Sequence, residues 1–233
     1  MGGPPRLVWC ADGNARHSLT AAGAGWLYGA RLPARGLAPL PLYFADQDWR
    51  RPDRARYMAE LARHRPALAT VLDWERPEQL PEVLSWAAEA ASLVSEAVLV
   101  VPKVPGGVAD LPREVGGREV RLAYSVPTAY GGSGVPLWEF AGRTVHLLGG
   151  SPQRQCEVWR YLRGIADVRS LDGNMAKKMA TGRCLYWTRA KTRHGHWQPI
   201  AGEVESGAPD ECVRRSCANV AAAWASWAKE ETR

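Results

Sequence analysis

Long hydrophobic runs are missing from this chain of 233 residues. The longest apolar stretches, such as Ala97 to Pro102, fall far short of the roughly 20 residues that span a bilayer. The opening residues, Met-Gly-Gly-Pro-Pro-Arg, lack the apolar core of a secretory signal. No membrane association is therefore expected, and the expected compartment is the cytoplasm. Cysteine is sparse and unpaired in pattern: five residues at 10, 156, 184, 212 and 217, with no Cys-x-x-Cys among them. That excludes a disulfide framework and a zinc knuckle, and it leaves buried, inert thiols as the expectation. Internal repeats and low-complexity tails are also absent.

What is present suits one soluble α/β domain. Hydrophobic residues make up 46% of the chain and charged residues 23%, which is enough apolar content for a sizeable core. Short apolar runs alternate with helical segments, the pattern of a parallel sheet. Eight strands are predicted: Leu7–Cys10, Leu42–Ala45, Ala69–Leu72, Ala97–Val101, Val120–Ser125, Thr144–Leu148, Val168–Leu171 and Cys184–Trp187. Their continuous apolarity fits strands covered on both faces. Amphipathic spacing predicts helices at Asp53–Arg63, Pro81–Val94 and Gln153–Arg163, and an alanine-rich helix at about 208–230. The expected architecture is a single domain over residues 1–233, a small or incomplete (β/α)8 TIM-like barrel. A doubly wound open sheet is the competitor, because strand spacing does not show closure.

Three predicted strands end in an acid. They deliver Asp46 (with Asp48 two residues on), Asp73 beside Trp74, and Asp172. In a parallel barrel the strand ends converge on one face, so the three carboxylates can share a pocket and raise one another's pKa. Taken singly, each acid is equally well explained as a cap for the next helix. Pro52 and Pro77 mark helix entries a few residues later, which weakens that explanation for the set. A glycine turn, Gly149-Gly150, ends another strand and would let backbone amides approach a ligand. His146, inside that strand, is expected to be a structural histidine.

Lys177 to Trp197 carries no acid but holds Lys177, Lys178, Arg183, Arg189, Lys191 and Arg193, with Tyr186, Trp187 and Trp197 interleaved. Such a mixture suits phosphate neutralisation and base stacking. The alternative is a solvated basic face whose aromatics pack inward. The net charge of +6 is compatible with a polyanionic partner.

The stretch that begins at Thr144, TVHLLGGSPQRQCEVWRYLRGIADVRSLDGN, resembles the tRNA-guanine transglycosylase superfamily. In that superfamily a strand ending in a glycine-rich turn and proline precedes the strand that carries a nucleophilic aspartate. The shortened phage and bacterial members that exchange bases in DNA are most similar. The resemblance implies a barrel, covalent base exchange and Asp172 as nucleophile. It implies Asp46 or Asp48 as proton carrier, and Asp73, Trp74, Gly149 and Gly150 as the base receptor. DNA or tRNA and a 7-deazaguanine base would be the partners, with a second subunit or copy left open and no cofactor. The chain departs from the tRNA enzymes in lacking their zinc ligands and in replacing the flexible glycines after Asp46 with Gln47-Asp48-Trp49. Two other readings stand beside it. "VLDWE" places Asp73 and Glu75 as in barrel lysozymes, which suits paired-carboxylate glycoside hydrolysis. A barrel that binds nucleic acid without catalysis is the other.

Overall fold

The computed structural model describes residues 4–11, 14–34, 36–128, 131–188, 197–199 and 208–230, with backbone alone at 197–199 and at 208. In chain order the elements begin with β1 (Arg6–Cys10), α1 (Ala15–Gly23), β2 (Leu27–Leu32), β3 (Phe44–Gln47), α2 (Arg54–His64), β4 (Leu68–Thr70) and α3 (Leu80–Ala91). They continue with β5 (Ala97–Val100), β6 (Glu114–Val115), β7 (Arg118–Ser125), β8 (Thr144–Leu148), α4 (Pro152–Leu162) and β9 (Asp167–Gly173). The chain then forms α5 (Met175–Thr181), β10 (Cys184–Tyr186), β11 (Trp197–Pro199) and α6 (Ala208–Glu230).

Parallel pairing runs from β5 through β4, β3, β2, β1, β9 and β8 to β7, and β7 pairs back onto β5. That last pairing closes an eight-stranded parallel barrel, so the fold is TIM-like and not an open sheet. Two features of the strand pattern differ from expectation. Leu27–Leu32, which the apolar pattern does not mark, is a barrel strand between β1 and β3. Cys184–Tyr186 is a strand, but it pairs antiparallel with Trp197–Pro199 outside the barrel. An apolar run gives extended backbone without naming its partner.

Alternation along the strands sorts the core into two layers. Val8, Cys10, Phe44, Leu68, Ala97, Leu99, Val101 and Ala123 cluster within the barrel, while the strands' other faces pack against the helices. The N-terminal end of the barrel is plugged by ions. Arg121, 2% exposed, reaches Glu119 at 3.1 Å and Glu96 at 3.9 Å, and Arg6 meets Glu96 at 2.9 Å. The C-terminal mouth is polar in a different way, and it holds the candidate site.

Local chemistry explains how the elements start. Pro52 precedes Asp53, whose side chain caps α2 by accepting from the Arg56 amide at 3.1 Å. Ser151 caps α4 ahead of Pro152, which occupies the first turn. α6 takes the place of a final barrel helix. It packs on α1, α5 and β10, and the Trp26 indole donates to the Cys217 carbonyl at 3.2 Å. All five cysteines are buried, and none forms a disulfide. Among the described residues no helix is long and apolar enough to cross a membrane.

Candidate active site

Asp46, Asp73 and Asp172 lie at or just beyond the C-terminal ends of β3, β4 and β9, the mouth of the barrel. The helix caps lie elsewhere: Asp53 caps α2, and Asn174 occupies the cap position of α5. The acids are thus left for the mouth itself.

Asp172 is nearly buried, at 9% exposure. Its Oδ1 accepts a hydrogen bond from the Gly149 amide at 2.9 Å. The glycine turn is what allows that approach. Gly149 and Gly150 have φ of +61° and +84°, and a Cβ on Gly150 would stand 2.6 Å from the Val126 side chain. The Gly149 amide, expected from sequence to face a bound base, therefore serves the carboxylate instead. Gln155, on α4, locks the two strand ends together, its amide donating to the carbonyls of Gly149 at 2.7 Å and Asp172 at 2.8 Å.

Asp46 points inward from β3 one residue after Ala45, whose side chain faces the helices. The Thr70 hydroxyl donates to its Oδ1 at 3.1 Å and accepts from the Gln47 amide at 2.7 Å. Tyr57 braces the same pair of strands from α2, its hydroxyl 2.7 Å from the Thr70 carbonyl and 3.2 Å from that of Ala45. Dehydration pushes the Asp46 carboxyl up to about 8, with the negative charges of Asp172 and then Asp73 adding to the effect. The three acids therefore form one electrostatic group. Asp48 stands apart from it. Its Oδ1 lies 4.0 Å from Arg31 Nη1 and accepts weakly from the Arg50 amide at 3.4 Å.

Asp73 is bound by a cation that sequence reasoning missed. Lys103 Nζ lies 2.7 Å from Asp73 Oδ2 and 3.9 Å from Glu75 Oε1. Burial raises the Asp73 carboxyl and Lys103 draws it back, with a net rise. The strand ends are held in step, since the Trp74 amide donates to the Val101 carbonyl and the Lys103 amide to that of Trp74. Trp74 is not a stacking surface. It is 1% exposed and packs under Gly107, where a Cβ would come within 2.4 Å of its ring. The exposed aromatic at this rim is Trp49, 52% exposed, with the Arg50 guanidinium 4.7 Å and Lys103 Nζ 5.8 Å from its ring centre.

His146 lies inside its strand, as expected, and also faces the acid site. It is fully buried, its Nδ1 lies 2.8 Å from Ser170 Oγ, and its Nε2 faces Asp172 Oδ1 at 3.5 Å. The Phe44 ring packs against it with centroids 4.9 Å apart. Alternation in β8 and β9 held the signal for this pairing, since His146 and Ser170 are paired in register.

Lys177 and Lys178 stand on α5, directly after the strand of Asp172, and Arg183 follows, exposed. Arg189, Lys191 and Arg193 lie outside the described residues. Of this segment's aromatics the side chains of Tyr186 and Trp187 are described, while that of Trp197 lies outside the description. Tyr186 is buried, and Trp187 meets Tyr186 and Trp227 edge-on at 5.8 and 6.0 Å. Among the described residues no group of three or more His, Cys, Asp and Glu side chains is arranged to hold a metal ion. Two grooves, of about 560 and 520 Å³, are lined by residues that include Arg113 and Arg143 in one and Tyr124, Val126 and Arg154 in the other; neither is lined by Asp46, Asp73 or Asp172.

No curated protein matches this chain. Residues 21–225 do match a family model, and they take in all three acids, the glycine turn, Lys103 and His146. The chain belongs to that family, DUF6610, described as a family of unknown function.

Proposed function

We propose that this barrel exchanges a base on a nucleic acid through a covalent aspartyl-glycosyl intermediate. The observation that carries the reading is a pair of acids with opposed character at one mouth. Asp172 is fixed by a backbone amide, whereas Asp46 is driven towards its protonated form by dehydration and by Asp172 itself. Environments that push two carboxyls apart are how one fold supplies both a nucleophile and an acid.

In the first half-reaction a carboxylate oxygen of Asp172 bonds to C1′ of the target nucleotide as the glycosidic C–N bond breaks. The electron pair goes to the departing base, which takes the proton held by Asp46. In the second, the ring N–H of the incoming 7-deazaguanine returns a proton to Asp46. Its nitrogen bonds to C1′, and the Asp172 ester breaks with its electrons going back to the carboxylate. Asp73, steadied by Lys103, would accept from the ring N–H and exocyclic amine of the base. Trp49 takes over the stacking role that Trp74 is too deeply buried to perform.

A nucleic acid fits the basic groups beside the mouth, among them Lys177, Lys178, Arg183 and Arg50. DNA is the preferred substrate, because the shortened members that the motif resembles act on it. A base in a duplex would be extruded to reach a site this deep. Mass spectrometry of nucleosides from the DNA and tRNA of expressing cells tests the reading. The expected result is a 7-deazaguanine nucleoside in DNA that disappears with Asp172→Asn. Unmodified DNA and tRNA in cells supplied with the free base would count against it.

A further inference from the structure

We propose that His146 is a positioning residue that presents Asp172 for attack through Oδ2. Its catalytic consequence rests on the base-exchange reading; its geometry does not. Two contacts converge on one oxygen. The Gly149 amide donates to Asp172 Oδ1 at 2.9 Å, and His146 Nε2 stands 3.5 Å from the same atom. Among the described residues no donor is directed at Oδ2. An oxygen already sharing its lone pairs is the poorer nucleophile, so Oδ2 is the one that bonds to C1′. Oδ1 is left to carry the residual charge towards its two donors.

The bonding around the ring assigns its tautomer. Inside the barrel His146 touches Ser170 and Asp172 on β9 and the Phe44 ring on β3. Ser170 Oγ, 2.8 Å from Nδ1, is able to donate or accept. If Nδ1 carried the proton, Nε2 would turn a lone pair on a carboxylate, which is repulsive. With the proton on Nε2, the Ser170 hydroxyl donates to Nδ1 and Nε2–H points at Oδ1. A proton on Nε2 is therefore the arrangement that avoids this repulsion. The 3.5 Å separation is just too long for a hydrogen bond, and Nε2 has no other partner among the described residues. Contacts of this kind tighten when substrate fills the site. The nearness of Ser170, His146 and Asp172 resembles a hydrolase triad in its parts but runs the other way: the serine orients the histidine, and the histidine orients the acid.

The test uses the full-length chain, labelled with 15N, and reads the imidazole nitrogens by long-range proton–nitrogen correlation. His146→Gln identifies the His146 signals. The expected result is a proton on Nε2, a clear change of the Nε2 signal in Asp172→Asn, and a change of the Nδ1 signal in Ser170→Ala. A ring with no proton on Nε2, or one indifferent to Asp172→Asn, overturns the proposal whether or not the protein exchanges bases. The activity arm follows incorporation of a labelled 7-deazaguanine. His146→Leu should lower the rate at saturating base by about tenfold to a hundredfold, the scale of one hydrogen bond to a charged group. The half-saturating base concentration should stay put, and His146→Gln, which keeps a donor, should regain part of the rate. Full rate in His146→Leu overturns the proposal while leaving base exchange standing. A wild-type protein with no exchange but the expected nitrogen signals removes base exchange and leaves the positioning contact.

Discussion

At the level of single residues, the carboxyl of Asp46 controls the pH behaviour. Its folded pKa of about 8 lies far above the ordinary 3.8, so the folded chain keeps a proton that the unfolded chain gives up. Stability from this group is unaffected below pH 4 and falls as pH rises towards 8. Asp46→Asn removes that penalty. It should raise stability at pH 7 by roughly 1–3 kcal/mol, a figure discounted for solvent at the mouth, and urea denaturation measures it. The same substitution should end exchange. In the wild type, exchange should hold through neutral pH and decline above about pH 8 as the acid is lost. A rate that climbs steadily from pH 7 to pH 10 would show that Asp46 is not the acid.

Elements show where sequence reasoning succeeded and where physics hid the answer. Seven of the eight predicted strands are barrel strands, and the acids at their ends were legible because each directly follows a short, largely apolar stretch. β2 was not legible. Its residues, Leu-Tyr-Gly-Ala-Arg-Leu, break the apolar run with a glycine and an arginine. Both are explained by the barrel interior. A Cβ on Gly29 would lie 2.9 Å from Val8 Cγ1 and 3.1 Å from the Phe44 ring, while Arg31 ends the strand beside Asp48 at the mouth. Gly29→Val should therefore cost about 1–3 kcal/mol by overpacking, read from the denaturation midpoint. An unchanged midpoint would mean that the barrel is not closed as tightly at β2. Lys103 and His146 were missed for a related reason. A lone lysine in a Pro/Gly-rich connector and a histidine in a strand carry no motif, and each acquires meaning only from the neighbour that closure brings to it. Trp74 was expected beside a bound base, yet it is buried and Trp49 is the exposed ring, because residue type alone does not tell which ring faces solvent.

For the molecule as a whole, the terminal helix and the charge distribution matter most. Trp224 on α6 is 1% exposed and meets Trp159 and Trp227 edge-on at 5.7 and 5.3 Å. Arg16 and His17 on α1 both face Asp210 at the start of the same helix. The helix is thus anchored to the layer of helices around the barrel, on α1 and on α4. Trp224→Ala should cost about 3–5 kcal/mol, and a cost under about 1 kcal/mol would detach α6 from the folding unit. The net charge of +6 is compatible with a polyanionic partner. Replacing Lys177 and Lys178 with glutamine should weaken nucleic-acid binding and reduce the salt dependence of log K by about 2, one for each phosphate no longer neutralised. An unchanged slope would move the interface elsewhere. Convergence of Asp46, Asp73 and Asp172 at one barrel mouth ties these scales together, with Asp172 the member proposed to bond to the sugar. Its most direct test is intact mass of the protein after incubation with a short DNA and a 7-deazaguanine, quenched in denaturant. The expected result is a covalent protein–oligonucleotide adduct that maps to Asp172 and is absent from Asp172→Asn; an adduct on another residue, or undiminished exchange in Asp172→Asn, would refute it.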